Sequence, residues 1–179
     1  TAATAAAPPP TSTRAGGRRS RRADATEELE SFLSTYYRLV ATEDLLARPA
    51  RELATMALAH REFAQHRPVG TLNVRAFNPS SHDEGWSTGH TVVQIVVDDM
   101  PFLVDSVQEE LLARGLGVRR LLHPVIGTIR DEQGRIERVM SGRDASHRES
   151  VMHFELDRQL APGEADDLER RVTAILHDV

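Results

Sequence analysis

The chain has 179 residues, 40% hydrophobic and 27% charged, with a formal net charge of −5; that is one domain plus extras, or at most two small domains. It contains no cysteine and no lysine, all 22 of its basic residues being arginines, which excludes a disulfide framework, a thiolate metal site, a Cys nucleophile and any chemistry that needs a lysine amine. No uninterrupted apolar run approaches the ~18 residues a membrane span requires.

The charge is unevenly spread. Residues 1–25 carry five arginines (Arg14, Arg18, Arg19, Arg21, Arg22) against Asp24, a local charge of +4, which leaves −9 on the remainder. This opening stretch lacks a large apolar residue from Thr1 to Asp24 and cannot bury enough surface to offset its chain entropy, so residues 1–24 are expected to be a disordered Arg-rich tail. It has no apolar secretory segment, and the absence of an initiator methionine suggests a trimmed chain. Arginines suit phosphate, but no aromatic stands among them and the attached body is acidic, so a solvated linker is expected rather than a nucleic-acid arm.

From Asp24 the pattern turns helical. Asp24 to Glu27 form a capping box, and Leu29, Leu33, Tyr36 and Val40 follow at helical spacing, predicting one amphipathic helix to about Val40. Thr42-Glu43-Asp44 reads as a break. Pro49 then opens a second helix, with Leu53, Met56, Ala57, His60 and Phe63 as its stripe, ending before Pro68. Strand patterns follow at Thr71 to Phe77 and at Thr91 to Val97, separated by a turn-rich loop holding Trp86, the single tryptophan, expected to pin that loop onto the body. Asp98-Asp99-Met100-Pro101 ends the second strand, and Leu103, Val107 and Leu111 mark a helix closed by Gly115. Val118 to Ile129, Ile136 to Met140 and Val151 to Asp157 read as strands, and a last helix runs from about Gly163 with Leu168, Val172, Ile175 and Val179 on its apolar face.

Helices set against a mainly antiparallel sheet give an α+β fold. From Thr91 the order is βαββα, one strand short of the ferredoxin-like βαββαβ unit. The missing edge strand either follows Val179 or is supplied by Thr71 to Phe77 lying antiparallel beside the Thr91 strand.

Enzyme signatures are absent: there is no G-x-G-x-x-G, P-loop, G-x-S-x-G or H-E-x-x-H, so no catalytic and no cofactor-binding residue is assigned. The pairs His60/His66 and His147/His153 are each six apart, a spacing that shares no helical face, so no metal site is expected, and His60 reads as a hydrogen-bonded core or boundary histidine. One constellation has a binding logic, the turn from Asp98 to Ser106. There a helix N-terminus with free N–H groups follows a strand directly, flanked by carboxylates, and could hold a zwitterion with its ammonium on Asp98, Asp99 or Asp105. On physical grounds alone the residues fit better a helix capped by Asp99 with Asp105 complementing the dipole.

Asp98-Asp99-Met100-Pro101-Phe102-Leu103-Val104-Asp105-Ser106-Val107 resembles a hallmark of the N-terminal region of the large bacterial NAD-specific glutamate dehydrogenases. So do Tyr36-Tyr37 with Glu43-Asp44-Leu45, Asn78-Pro79 with Gly85-Trp86, His123-Pro124-Val125, and Glu149-Ser150 ahead of Glu155-Leu156-Asp157-Arg158. The resemblance covers about Thr26 to Val179. It implies a cytoplasmic, homo-oligomeric parent that deaminates L-glutamate to 2-oxoglutarate and ammonia with NAD, the cofactor being held far downstream and none in this segment. The chain would then be a regulatory or assembly segment, with other domains and subunits of the parent as partners and an amino acid as effector. The two helical stripes are expected to form a hairpin over residues 25–68, and the resemblance implies an ACT-like domain over 69–179, with helices on one sheet face. ACT modules often bind amino acids at the first strand-to-helix turn, here Asp98, Asp99, Met100, Pro101, Phe102 and Asp105. The usual turn reads Asp, any residue, Pro, Gly; Phe102 stands at the glycine position and is expected either to fill the pocket or to turn into the core.

Overall fold

The computed structural model describes residues 29–142 and 145–179. The arginine-rich tail and the capping box at Asp24 to Glu27 lie outside them. The elements are a helix over residues 29–36 (α1), α2 (Thr42–Leu46), α3 (Ala50–Ala64), β1 (Asn73–Phe77), β2 (Val92–Asp98), α4 (Leu103–Ala113), β3 (Val118–Leu122), β4 (Val125–Arg130), β5 (Ile136–Ser141), β6 (Arg148–Leu156) and α5 (Pro162–Asp178). Among the described residues no helix is long and apolar enough to cross a membrane.

The six strands form one sheet in the order β1-β2-β6-β4-β5, with β3 also on β6, and every pairing is antiparallel. β1 supplies the missing edge strand, pairing Asn73 with Val96 and Phe77 with Val92. The expected strand from Val118 to Ile129 is divided in two. His123-Pro124 interrupts it, and β3 and β4 pair with successive stretches of β6, as suits a proline that has no N–H to donate to a ladder. β6 starts earlier than the apolar alternation indicates, because Glu149 is buried in it as part of an ion cluster.

Both faces of the sheet are covered, which is why β2 reads as an almost continuous β-branched run. Val93, Ile95 and Val97 pack against Leu103, Val107 and Leu111 of α4 and Leu168, Val172 and Leu176 of α5. These two helices lie on one face, as the fold class requires. Val92, Val96 and Val151 meet Phe32, Tyr36, Met56, Ala57 and Trp86 on the other. Trp86 is 1% exposed, edge-on to Phe77 with ring centroids 6.1 Å apart.

The first helix stops at residue 36, short of Val40. The chain turns there so that both tyrosines reach α3: Tyr36 Oη pairs with His60 Nδ1 at 2.9 Å, and Tyr37 Oη donates to the Leu53 carbonyl at 2.7 Å. His60 is thus the hydrogen-bonded core histidine that its stripe suggested. Burial, reinforced by His153 and Arg75, pushes its pKa well below the ordinary value. Thr42-Glu43-Asp44, read as a break, starts α2, where two acidic residues in the first turn favour the helix dipole.

Candidate functional site

The turn singled out by sequence joins β2 to α4. Its residues go separate ways. Asp98 ends β2 and accepts a hydrogen bond from Arg67 Nη2, with His147 Nε2 at 3.2 Å. Asp99 does not cap α4. Its Oδ1 accepts from Ser150 Oγ at 2.7 Å, while its N–H donates to the Arg148 carbonyl at 2.9 Å. Phe102 takes the N-cap position, with no side-chain capping bond, and Asp105 falls in the first turn.

Phe102 corrects the expectation that its ring fills a pocket or enters the core: it is 72% exposed. Its backbone nevertheless adopts the left-handed conformation a glycine would take there, with φ 70° and ψ 0°. Among the described residues it is the only non-glycine with positive φ. A side chain in that region costs roughly 1–2 kcal/mol. Phe102→Gly is therefore expected to raise unfolding stability by up to about 1 kcal/mol once glycine's extra chain entropy is subtracted. A urea melt checks this, and a lower midpoint in the variant would contradict it.

Behind the turn lies a buried ion cluster. Glu149, fully buried, accepts from Arg130 Nε at 2.6 Å, Arg130 Nη2 at 2.8 Å, Arg67 Nη2 at 2.8 Å and Thr128 Oγ1 at 2.8 Å. Burial alone would raise its pKa, but the two guanidiniums override this and hold the carboxyl at about 2. Arg67, equally buried, also donates to the Thr71 carbonyl at 2.6 Å, and its N–H donates to the Gly134 carbonyl at 2.9 Å. Gly134 needs its glycine twice over. Its φ is +81°, and a Cβ there would come within 2.6 Å of the Arg67 carbonyl oxygen.

Asp98, His147 and Glu149 bring three ligand-type atoms within 4.8 Å of one another, a grouping their sequence spacing did not suggest. A guanidinium already occupies the cation's place. Arg67 Nη2 bonds both carboxylates and lies 3.5 Å from His147 Nε2, so this cluster is an internal ion pair rather than a metal cradle.

Of the six turn residues, Asp99 is the one that lines the adjacent cleft, about 220 Å³ in volume and shared with Thr35, Arg38, Val125, Ser141, Gly142 and Arg148. One carboxylate and two guanidiniums thus face a common space. Arg148 Nε stands 3.7 Å from Asp99 Oδ2. The His123-Pro124 break positions the floor of this region: Ser150 Oγ bridges Asp99 and His123 Nε2, the latter at 3.0 Å. Burial lowers the His123 pKa against the opposing pull of Asp99.

The model of the family described as "Glutamate dehydrogenase, ACT1 domain" matches residues 32–172. The chain belongs to the glutamate dehydrogenase ACT1 domain family. It is similar to the NAD-specific glutamate dehydrogenase of Halomonas elongata, 33% identical over 159 residues, covering 87% of this chain and 10% of that relative. The NAD-specific glutamate dehydrogenase of Pseudomonas aeruginosa is 30% identical over 159 residues with the same coverage. The chain therefore spans about a tenth of the length of the curated relatives it matches. No solved structure matches it significantly. For an ACT1 family member the geometry has two consequences: β1 completes the four-stranded ACT-like arrangement from the N-terminal side, and the turn keeps the glycine backbone without the glycine.

Sequence reasoning missed Arg38, Arg148, Arg67 and Arg130. Each stands in a turn, a linker or at a strand end, where an arginine is ordinarily a solvated surface residue, so only the folded register reveals what they face. Glu149 did carry a signal: it is an acid within a motif shared with the family resemblance, beside the buried Ser150.

Proposed function

We propose that the chain is a non-catalytic regulatory segment of an NAD-specific glutamate dehydrogenase, and that it senses an amino acid in the cleft beside Asp99. The parent reaction is oxidative deamination of L-glutamate to 2-oxoglutarate and ammonia with NAD reduced to NADH. In this reading the cofactor and the catalytic lysines belong to other domains, the partners are those domains and neighbouring subunits, and the location is the cytoplasm. The observation that carries it is that Asp99, Arg38 and Arg148 line one cleft of about 220 Å³. The carboxylate suits an ammonium and the guanidiniums suit a carboxylate, which together match the two ends of an amino acid. The chain's lack of lysine and of any dinucleotide motif supports a division of labour in which it does no chemistry.

Of the turn residues proposed for the effector, Asp99 carries the binding role. Asp98 is held by Arg67 and His147, while Met100, Pro101, Phe102 and Asp105 frame the turn. Calorimetric titration of the chain with a panel of amino acids is expected to give saturable heat at millimolar concentration for at least one of them. Silence across the whole panel would overturn the reading.

A second reading, an assembly module without a small ligand, is favoured by the exposed Phe102 and the 37% exposed Met100 beside it. Light scattering at high protein concentration separates the two. Self-association abolished by Phe102→Gly supports assembly through this turn, and a strict monomer counts against it.

A further inference from the structure

A second cleft of about 160 Å³ is lined by Arg48, Thr88, His90, Arg119, Arg120 and Glu155. Three guanidiniums meet a single carboxylate there. Arg48 Nη2 donates to both Glu155 oxygens, at 3.2 and 3.0 Å, and Arg120 Nη1 stands 3.8 Å from Oε1. The Glu155 side chain is 4% exposed. Burial would raise its pKa, but His153, Arg48 and Arg120 lower it below the ordinary carboxyl value, so it stays an anion. The lining keeps a charge of about +2. Asp44, 3.9 Å from Arg120, touches it only from the exposed rim.

The strand geometry explains how two consecutive arginines reach one cleft. Neighbouring residues of a regular strand point to opposite faces, but the register of β3 shifts here. Val118 lies opposite Leu156 and Arg120 opposite Glu155, which leaves Arg119 as the extra residue of a β-bulge. Bulges re-aim side chains in this way. Arg119 has no hydrogen-bond or ion-pair partner among the described residues. On the opposite wall His90 Nδ1 is buried and likewise unpartnered. The His90 backbone is fixed by Thr88, whose Oγ1 accepts from the His90 N–H at 3.1 Å and donates to the His90 carbonyl at 2.8 Å.

We infer that this cleft binds a phosphate monoester of a small molecule through its dianionic phosphate group. Arg48, Arg119 and Arg120 come from separate points of the wall, two of them a bulge apart, and present donors from several directions. That arrangement matches the tetrahedral oxygens of a phosphate better than the single plane of a carboxylate, which one guanidinium fork satisfies. His90 lines the same cleft with a ring nitrogen that has no partner among the described residues, and Glu155 keeps Arg48 in place. The site shares no lining residue with the Asp99 cleft and is independent of the amino-acid reading.

The test is calorimetry of the chain with inorganic phosphate and with glycerol 3-phosphate at constant ionic strength in chloride, with succinate as the carboxylate comparison. Both phosphates should bind saturably, and succinate about tenfold more weakly or not at all. Arg119→Gln alters an exposed, unpartnered side chain, so the thermal midpoint should hold while phosphate affinity falls about tenfold, the worth of one charged hydrogen bond. His90→Gln should weaken binding in the same sense. The inference is overturned if phosphate gives no heat beyond chloride, if succinate binds as well as phosphate, or if Arg119→Gln binds phosphate like the unmodified chain. Asp99→Asn should leave phosphate binding unchanged, and loss of phosphate binding in that variant would also contradict a separate site.

Discussion

Glu149→Gln is expected to lower the unfolding free energy by about 3–5 kcal/mol, the penalty for removing one partner of a buried ion cluster. The variant would leave Arg67, fully buried, and Arg130, whose side chain is 5% exposed, facing an amide that cannot neutralise them. The cluster ties the α3–β1 linker to β4 and β6, through Arg67, Arg130 and Glu149 respectively. A pH dependence follows with a definite sign. The folded-state pKa of Glu149, about 2, lies below the ordinary value of 4.5. Its contribution is therefore fully present above pH 4.5, declines as the pH falls through that value, and is gone below about 2. A depression of this size corresponds to about 3 kcal/mol. Urea unfolding of the unmodified chain and of Glu149→Gln at pH 7, 5 and 3 isolates the term. The gap between them should narrow at pH 3, and a constant gap would refute the assignment.

Trp86→Ala is expected to be as costly, about 3–5 kcal/mol, because it empties a buried site that the surrounding sheet cannot collapse into. The indole packs edge-on to Phe77 and lies 5.9 Å from the His153 ring, under a loop that also carries Thr88 and His90. Its Nε1–H makes no hydrogen bond, so Trp86→Phe keeps a ring in place and breaks no polar contact; it should lose much less. Thermal melts followed by circular dichroism check both variants. Trp86→Ala should also weaken phosphate binding by loosening the loop, whereas an alanine variant of unchanged stability would remove Trp86 as the pin.

The parts of the fold written in apolar period were legible. Val93, Ile95 and Val97 belong to the β-branched run read as a central strand, and Leu168 and Val172 of the predicted α5 stripe meet them on the same sheet face, although that stripe continues through buried Leu176 rather than through Ile175 and the 47% exposed Val179. The errors fall where polar side chains override period. Tyr36 and Tyr37 end α1 early by bonding to α3, Pro124 splits a strand that its apolar neighbours made continuous, and Glu149 conceals the first residues of β6 from hydropathy. The site was half legible. The Asp98 to Ser106 turn stood out by its chemistry, and Asp99 does line a cleft. Arg38, Arg148 and the Arg119 bulge depend on a long-range register that no local spacing encodes. Phe102 is the instructive case: the glycine rule identified a special backbone position, and the chain keeps that backbone while paying its strain in a phenylalanine.

Amide-resolved NMR titration with whichever amino acid gives heat tests the central claim most directly. Binding at the Asp99 cleft predicts saturable shifts at Arg38, Asp99, Val125 and Arg148 with the same affinity as calorimetry, and their disappearance in Asp99→Asn while the rest of the spectrum is kept. Shifts confined to Arg48, His90 and Arg119, or undiminished in Asp99→Asn, would contradict it.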